Sequence, residues 1–165
     1  RFALRCVGFD ANVQVTIVDL PGQIEMMKNN VSECAGADRI TGFATNLLDE
    51  GSELPRGQWD IIWMSQFLDC FSEAEISSIL RRAAQAMTAN THLLIMETFW
   101  DRQRFEPASL CLTMTSVYFT VMANGNSKMY HSDDMIRLIA DAGLRVTEVH
   151  DGLGQGHTIL DVTLK

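Results

Sequence analysis

The segment Val15-Thr-Ile-Val-Asp-Leu-Pro-Gly22 begins with four β-favouring residues and then reaches an acidic one. This run predicts a buried strand that ends on Asp19, with a proline and a glycine close behind. In α/β proteins, an aspartate at the carboxyl end of a parallel strand holds the hydroxyls of a nucleoside ribose. The segment alone is equally typical of a strand whose aspartate caps a helix beginning near Gln23. Asp19 is therefore a candidate nucleoside ligand, with helix capping as the alternative.

Strand-like and helix-like segments alternate along the whole chain, which is the pattern of a parallel sheet flanked by helices. No repeat or linker interrupts this alternation, so we expect one domain over residues 1–165. The predicted strands are Val13 to Leu20, Ile40 to Thr45, Trp59 to Met64, His92 to Thr98, Arg145 to His150 and Thr158 to Leu164.

The spacing of apolar residues predicts the helices between these strands. Ser72 and Glu75 have the spacing of a capping box and mark the start of one of them. The stretch Pro107 to Met122 is rich in Met, Leu, Phe and Tyr, so we expect it to be deeply buried or to line a pocket. The other predicted helices are Gln23 to Cys34, Glu73 to Met87, and a last one that begins after Ser132 and stops at Gly143.

The final two strands alternate apolar and polar residues and are joined by a glycine-rich loop, as in an antiparallel hairpin at a sheet edge. The loop, Gly152-Leu-Gly-Gln-Gly156, has a GxGxG pattern. It does not open a helix after a strand, so its amides have no helix dipole to help hold a phosphate. We therefore expect a hairpin loop here and not a cofactor loop.

Composition limits the class of protein. The 165 residues are 47% hydrophobic and 21% charged, as in a soluble domain with a real core. The net charge of -8 argues against nucleic acid and anionic membrane surfaces as partners. The four cysteines are scattered without metal-ligand spacing, and no apolar run has the length of a membrane span. These features predict a cytoplasmic protein without a metal site.

Four motifs together resemble the S-adenosylmethionine-dependent O-methyltransferases of the plant-caffeate and bacterial-polyketide type. Their order and approximate spacing match that family along essentially the whole chain. The motifs are Val18-Asp-Leu-Pro-Gly-Gln23, Phe67-Leu-Asp-Cys-Phe-Ser-Glu-Ala-Glu75, Ile95-Met-Glu97 and Ala140-Asp-Ala-Gly-Leu144.

The resemblance implies an α/β fold: a Rossmann-like methyltransferase sheet with helices on both faces and a C-terminal antiparallel hairpin. The family's glycine-rich cofactor loop and first strand would precede residue 1. We therefore expect this chain to be a partial catalytic domain, missing its first strand, that binds cofactor poorly and is inactive by itself. The family also has an N-terminal dimerisation domain, so the full-length protein is expected to be a homodimer.

The resemblance implies S-adenosylmethionine as the cofactor, with no metal. Asp19 would hold the ribose hydroxyls, and Asn46, followed by Leu47, would stand where the family has an aspartate near the adenine. An asparagine oxygen can still accept a hydrogen bond from an amino group. Ser65 stands where plant members often have a lysine. The alternatives are that Asn46 caps a turn and that Ser65 merely ends a strand.

The catalytic positions depart from the family pattern. The family's general base is a histidine, and Asp69 takes that place here. An ordinary aspartate, with a pKa near 4, is a poor match for a phenol near 10, although burial can raise it. Glu97 matches a glutamate that flanks the histidine, whereas Met129 replaces a second one. His131 is a candidate substitute base, with helix capping the favoured alternative.

The resemblance implies a small aromatic acceptor, for which the soft side chains Met114, Met122 and Met129 are candidate contacts. Ordinary core packing is the alternative for these methionines. Proximity and orientation can supply much of the acceleration of methyl transfer. Loss of the histidine is therefore compatible with an O-methyltransferase. It is also compatible with a rival hypothesis, a non-catalytic methyltransferase-like binding or assembly module.

Overall fold

The computed structural model describes residues 1–122 and 125–165, which form two compact units, Arg1–Pro55 and Arg56–Lys165. The first unit contains helix α1 (Phe2–Phe9), strand β1 (Val15–Asp19), helix α2 (Pro21–Val31) and strand β2 (Ile40–Ala44). The second contains β3 (Ile61–Ser65), α3 (Glu73–Ala86), β4 (His92–Glu97), α4 (Glu106–Met122), α5 (Ser132–Asp141), β5 (Leu144–Leu153) and β6 (His157–Leu164).

The first unit is a strand-helix-strand motif in which β1 and β2 pair in parallel, from Val15 opposite Ile40 to Asp19 opposite Ala44. Ala3 and Val7 of α1 pack with Ile40 to form its buried core. The guanidinium of Arg39 donates to the carbonyls of Val7, Asp10 and Val13, at 2.7 to 3.1 Å. These bonds tie the end of α1 and the following turn to the start of β2.

Helix α2 packs closely on β2 at Gly42. A Cβ atom at this position would lie 2.6 Å from the Cγ2 of Ile24 and 2.9 Å from the Cε of Met27. Both distances are shorter than a van der Waals contact between carbon atoms. The absence of a side chain at Gly42 therefore sets how near α2 can come to the sheet.

The second unit has a four-stranded sheet in the order β3-β4-β6-β5. Strands β3 and β4 are parallel, whereas β6 runs antiparallel to both β4 and β5. The predicted α/β class and the reversed C-terminal hairpin are confirmed. Two register shifts within β5 let it run to Leu153, beyond the predicted end at His150.

Helix α3 buries one apolar stripe and packs against α5. Its core residues are Ile76, Ile79, Leu80 and Ala83. Ser72 is the N-cap: its hydroxyl accepts from the N–H of Glu75, and the Glu75 carboxylate accepts from the N–H of Ser72 at 2.7 Å. The predicted capping box is confirmed.

Of the two alternatives for the Pro107 to Met122 stretch, deep burial is wrong, and lining of a pocket stays a prediction. These residues lie in α4, none of whose side chains is buried. Apolar side chains occur on every side of this helix, so composition suggested a buried helix, yet few neighbours cover it within the described structure. In the described ranges, 1–122 and 125–165, no helix is both long and apolar enough to cross a membrane.

The capping box gives a stability prediction. Ser72→Ala should lower the free energy of unfolding by about 1 kcal/mol, because it leaves an N–H of the first turn of α3 without its acceptor. Ser77→Ala, within the same helix, is the control and should cost little, since alanine is the stronger helix former. Urea unfolding followed by circular dichroism measures both free energies. A Ser72→Ala variant as stable as Ser77→Ala would contradict the role given to the cap.

Candidate active site

The carboxyl ends of β3 and β4 lie side by side because the strands are parallel, with Ser65 opposite Met96. After β3 the chain turns at Gln66, whose φ of 49° is a left-handed conformation that non-glycine residues rarely adopt. A short 3-10 helix, Leu68–Cys70, follows. We call Phe67–Phe71 the Asp69 turn. The parallel pairing brings this turn to the end of β4.

Glu97 is the last residue of β4 and is only 2% exposed. Its Oε1 accepts hydrogen bonds from the backbone N–H groups of Phe67, at 2.9 Å, and Leu68, at 2.8 Å. Its Oε2 is buried and has no hydrogen-bond partner among the described residues. A buried polar oxygen without a partner is costly in a purely structural role.

The negative charge of Asp69 acts on the Glu97 carboxyl group. Burial, reinforced by the negative charge of Asp69, raises the pKa of Glu97 to about 8. Burial also raises the pKa of Asp69, against the opposing effect of a hydrogen bond from Cys70. Glu97 is therefore largely protonated at pH 7. Perturbed carboxyl pairs of this kind are typical of sites that exchange protons.

The thiol of Cys70 lies next to the carboxylate of Asp69. Its Sγ lies 3.5 Å from the Oδ1 of Asp69 and is placed to donate a weak hydrogen bond. Burial, together with the charge of Asp69, raises the pKa of the Cys70 thiol to about 11. The thiol therefore stays protonated, and it is a poor nucleophile at neutral pH.

Residues 127–130, which we call the clamp segment, contact the Asp69 turn from far along the chain. The Lys128 N–H donates to the carbonyl of Asp69 at 2.9 Å. The Tyr130 hydroxyl donates to the carbonyl of Phe71 at 2.6 Å. The sequence analysis did not identify Tyr130, since no local motif connects it to a turn 59 residues away.

The clamp segment also carries Met129 to the end of β4. The Thr98 hydroxyl, one residue after Glu97, lies 3.2 Å from the Met129 Sδ. The Met129 N–H donates to the Ser116 hydroxyl of α4 at 2.9 Å. Met129, one of the candidate substrate contacts, is therefore held against Thr98, the residue that follows Glu97.

The other two candidate methionines are placed differently. Met114 and Met122 lie on α4 with 54% and 67% of their surfaces exposed. Ordinary core packing, the alternative for these two residues, is therefore wrong. Their contact with a substrate stays a prediction.

His131 acts as a helix cap. Its Nδ1 accepts a hydrogen bond from the Asp133 N–H at 3.1 Å, at the start of α5. Its ring also packs edge-on against Trp100, with the centroids 4.8 Å apart. The nitrogen lone pair that a base would use is occupied by the cap, so the capping alternative is confirmed.

In the first unit, Asp19 is exposed at the carboxyl end of β1. Its Oδ1 accepts from the Leu20 N–H at 2.8 Å. Helix α2 begins at Pro21 with Leu20 as its N-cap and has no side-chain cap. The helix-capping alternative for Asp19 is therefore wrong, and its carboxylate is available for a ligand.

The remaining cofactor candidates lie at the end of a strand or shortly after it. The Asn46 Oδ1 accepts from the Leu48 N–H at 3.0 Å, so Asn46 does cap a turn, the alternative considered above. This oxygen keeps a second lone pair with which it could accept from an amino group. Leu47 follows it and is half-buried, and Ser65 is the half-buried last residue of β3 in the second unit.

Comparison with known proteins identifies the class. The O-methyltransferase domain family matches residues 2–145, across both compact units. The chain belongs to this family. No curated protein sequence matches it significantly.

Solved structures share the fold at low sequence identity. TnmH superposes with a TM-score of 0.85 at 18% identity, over 99% of this chain and 46% of that one. NcsB1, an O-methyltransferase of neocarzinostatin biosynthesis solved with S-adenosyl-L-homocysteine and 1,4-dihydroxy-2-naphthoic acid, gives 0.79 at 19% identity, over 98% and 45%. A protein described as a pericyclic reaction enzyme gives 0.81 at 17% identity, over 100% and 40%. The chain thus spans less than half the length of these proteins.

The raised pKa of Glu97 predicts a pH-dependent stability. An unfolded glutamate loses its proton near pH 4.3, whereas the folded Glu97 keeps it up to about pH 8. The folded state binds more protons in this interval, so the free energy of unfolding should fall as pH rises, by up to about 1.4 kcal/mol per pH unit. Glu97→Gln cannot titrate and should remove this decline.

Urea unfolding of the full-length protein at pH 5, 6.5 and 8 measures the difference. Glu25→Gln, which changes an exposed carboxylate of α2, is the matched control and should follow the wild type. Parallel pH profiles for the wild type and Glu97→Gln would contradict a buried, protonated Glu97.

Proposed function

We propose that the full-length protein transfers a methyl group from S-adenosylmethionine to a hydroxyl of a small aromatic acceptor. The observation that carries this proposal is the buried Glu97 beside the Asp69 turn, in a chain that belongs to the O-methyltransferase domain family. The family match spans both compact units, which supports treating residues 1–165 as part of one catalytic domain.

Asp19 would bind the cofactor ribose. Its exposed carboxylate ends a parallel strand and does not cap the following helix, so it can accept hydrogen bonds from two ribose hydroxyls. Asn46 and Leu47 would contact the adenine, and Ser65 is a further candidate contact. The sulfonium of S-adenosylmethionine supplies an electrophilic methyl group, with no metal required. The binding of S-adenosyl-L-homocysteine by NcsB1 supports the choice of cofactor.

Asp69 would accept the proton of the acceptor hydroxyl. Burial raises its pKa, which narrows the gap to a phenol. Glu97 would hold the Asp69 turn through Oε1 and would remain neutral until about pH 8. Its ionisation above that pH would add a second negative charge and make Asp69 a stronger base.

The acceptor proposal has less direct support. Met129 is held beside Glu97 through Thr98 and offers a soft surface for an aromatic ring. Met114 and Met122, exposed on α4, are further candidate contacts. NcsB1, which has the same fold, was solved with an aromatic diol, 1,4-dihydroxy-2-naphthoic acid, and this supports an aromatic acceptor. A homodimer in the cytoplasm remains our proposal, on the family resemblance alone.

The rival function is a methyltransferase-like module that binds ligands without catalysis. It is favoured by Asp69 and Met129, which replace a histidine and a glutamate of the related enzymes. This rival predicts cofactor binding without turnover. An assay of the full-length protein with catechols and hydroxynaphthoates separates the two functions.

Variants of the two carboxyls test their roles. Asp69→Asn should lower kcat at pH 7 by about 10- to 100-fold, because the base is lost. This deficit should shrink toward pH 9.5, where the phenol ionises by itself. Glu97→Gln mimics the neutral glutamate, so it should keep most activity at pH 7 but lose the rise in rate near pH 8.

Asp141→Asn, an exposed carboxylate at the end of α5, is the control and should behave as the wild type at every pH. The measurement is kcat from pH 6 to 9.5 for all four proteins. Equal turnover by Asp69→Asn and Glu97→Gln across this range would remove both role assignments.

Calorimetric titration tests the role of Asp19. Asp19→Asn in the full-length protein should weaken S-adenosylmethionine binding by about tenfold or more, since charged hydrogen bonds to two hydroxyls are lost. Asp38→Asn is the control because Asp38 precedes β2, at the opposite end of the same sheet. Unchanged affinity in Asp19→Asn would contradict the ribose contact. The same titration of the isolated 165 residues tests our expectation of weak binding.

A further inference from the structure

The clamp segment meets the backbone of the Asp69 turn at three consecutive carbonyls. The Lys128 N–H donates to the carbonyl of Asp69 at 2.9 Å. The Ser127 hydroxyl lies 3.5 Å from the carbonyl of Cys70. The Tyr130 hydroxyl donates to the carbonyl of Phe71 at 2.6 Å. The turn is therefore held along its length by a segment that is distant in sequence.

Tyr130 makes the shortest of these contacts and is itself rigidly placed. Its side chain is only 3% exposed, and the Lys128 Nζ lies 4.6 Å from the centroid of its ring. The same Nζ contacts the Glu73 carboxylate at 3.3 Å. Burial of the ring and the ion-paired Lys128 above it restrict the position of the Tyr130 hydroxyl.

The hydroxyl keeps its proton under assay conditions. Burial raises the pKa of the Tyr130 phenol, and the neighbouring negative charges raise it further. Those charges belong to Glu73, Glu75, Asp134 and Asp69. Tyr130 thus acts as a hydrogen-bond donor to Phe71 at any assay pH and does not act as a base.

The Asp69 turn is held from two sides. Glu97 accepts its first two N–H groups, and the clamp segment donates to its last three carbonyls. Asp69 lies in the middle, and its carboxylate is oriented by the Cys70 thiol and by the backbone N–H groups of Asp69 and Cys70, which belong to the turn itself. The direction of the Asp69 side chain therefore depends on the backbone that both sides fix.

We propose that Tyr130 is a positioning residue that aims the Asp69 carboxylate by anchoring the Phe71 carbonyl. The effect of Tyr130 on catalysis rests on the proposed methyl transfer. Its effect on the position of the Asp69 turn does not rest on any activity. Loss of the hydroxyl leaves the Phe71 carbonyl without this donor and lets the Asp69 turn rotate away from the acceptor. A misplacement of about 1 Å is enough to cost up to about 100-fold in rate.

Tyr130→Phe in the full-length protein tests the proposal because it removes the hydroxyl and keeps the ring. We expect kcat at pH 7 to fall about tenfold, with an unchanged KM for S-adenosylmethionine. The deficit should shrink toward pH 9.5, as for Asp69→Asn, because an ionised acceptor needs no base. General structural damage would lower the rate at every pH. Thr147→Val is the matched control: it removes a hydroxyl that donates to the Asp161 carbonyl at 3.1 Å, on β5.

Amide hydrogen exchange gives a readout that needs no turnover. The N–H groups of Phe67 and Leu68 should exchange at least tenfold faster in Tyr130→Phe than in the wild type, while Thr147→Val leaves them unchanged. Should Tyr130→Phe fail to fold, Ser127→Ala should show the same acceleration on a smaller scale. Unchanged exchange in the folded variant would overturn the proposal. If the wild type shows no methyl transfer but Tyr130→Phe still exchanges these N–H groups faster, only the proposed function is overturned.

Discussion

The contact between the Glu97 carboxylate and the two N–H groups of the Asp69 turn is the interaction on which the second unit depends. It joins the end of β4 to the chain that leaves β3, so the turn cannot move independently of the sheet. The contact also requires a carboxyl group to lie in the interior. Much of the cost of burying that group is avoided by protonation, which burial and the charge of Asp69 favour.

This arrangement links structure and chemistry through one residue. The Oε1 of Glu97 accepts hydrogen bonds from two backbone N–H groups, whereas its Oε2 has no hydrogen-bond partner among the described residues. The protonation of Glu97 also sets the charge felt by Asp69. Under the proposed function, an aspartate in the place of the histidine implied by the resemblance can still act as a base, because burial raises the pKa of Asp69.

Local sequence patterns predicted the strands, the hairpin and the Ser72 capping box, because each arises from residues close together in the chain. They failed for α4, where an apolar composition suggested burial but the fold supplies few covering neighbours. They also missed Tyr130, whose partner is 59 residues away. Asp69 and Glu97 came from family resemblance, and only the structure shows that one carboxyl changes the pKa of the other.

Gly42 shows how a position without a functional group can matter to a ligand site. A Cβ atom there would press on Ile24 and Met27, and where the Ile24 side chain does not rearrange, α2 is lifted from β2. Because α2 begins two residues after Asp19, the lifted helix would pull on the end of β1. Natural variation or engineering at Gly42 should therefore change the position of Asp19, the residue proposed to bind the ribose, although the glycine has no side chain of its own.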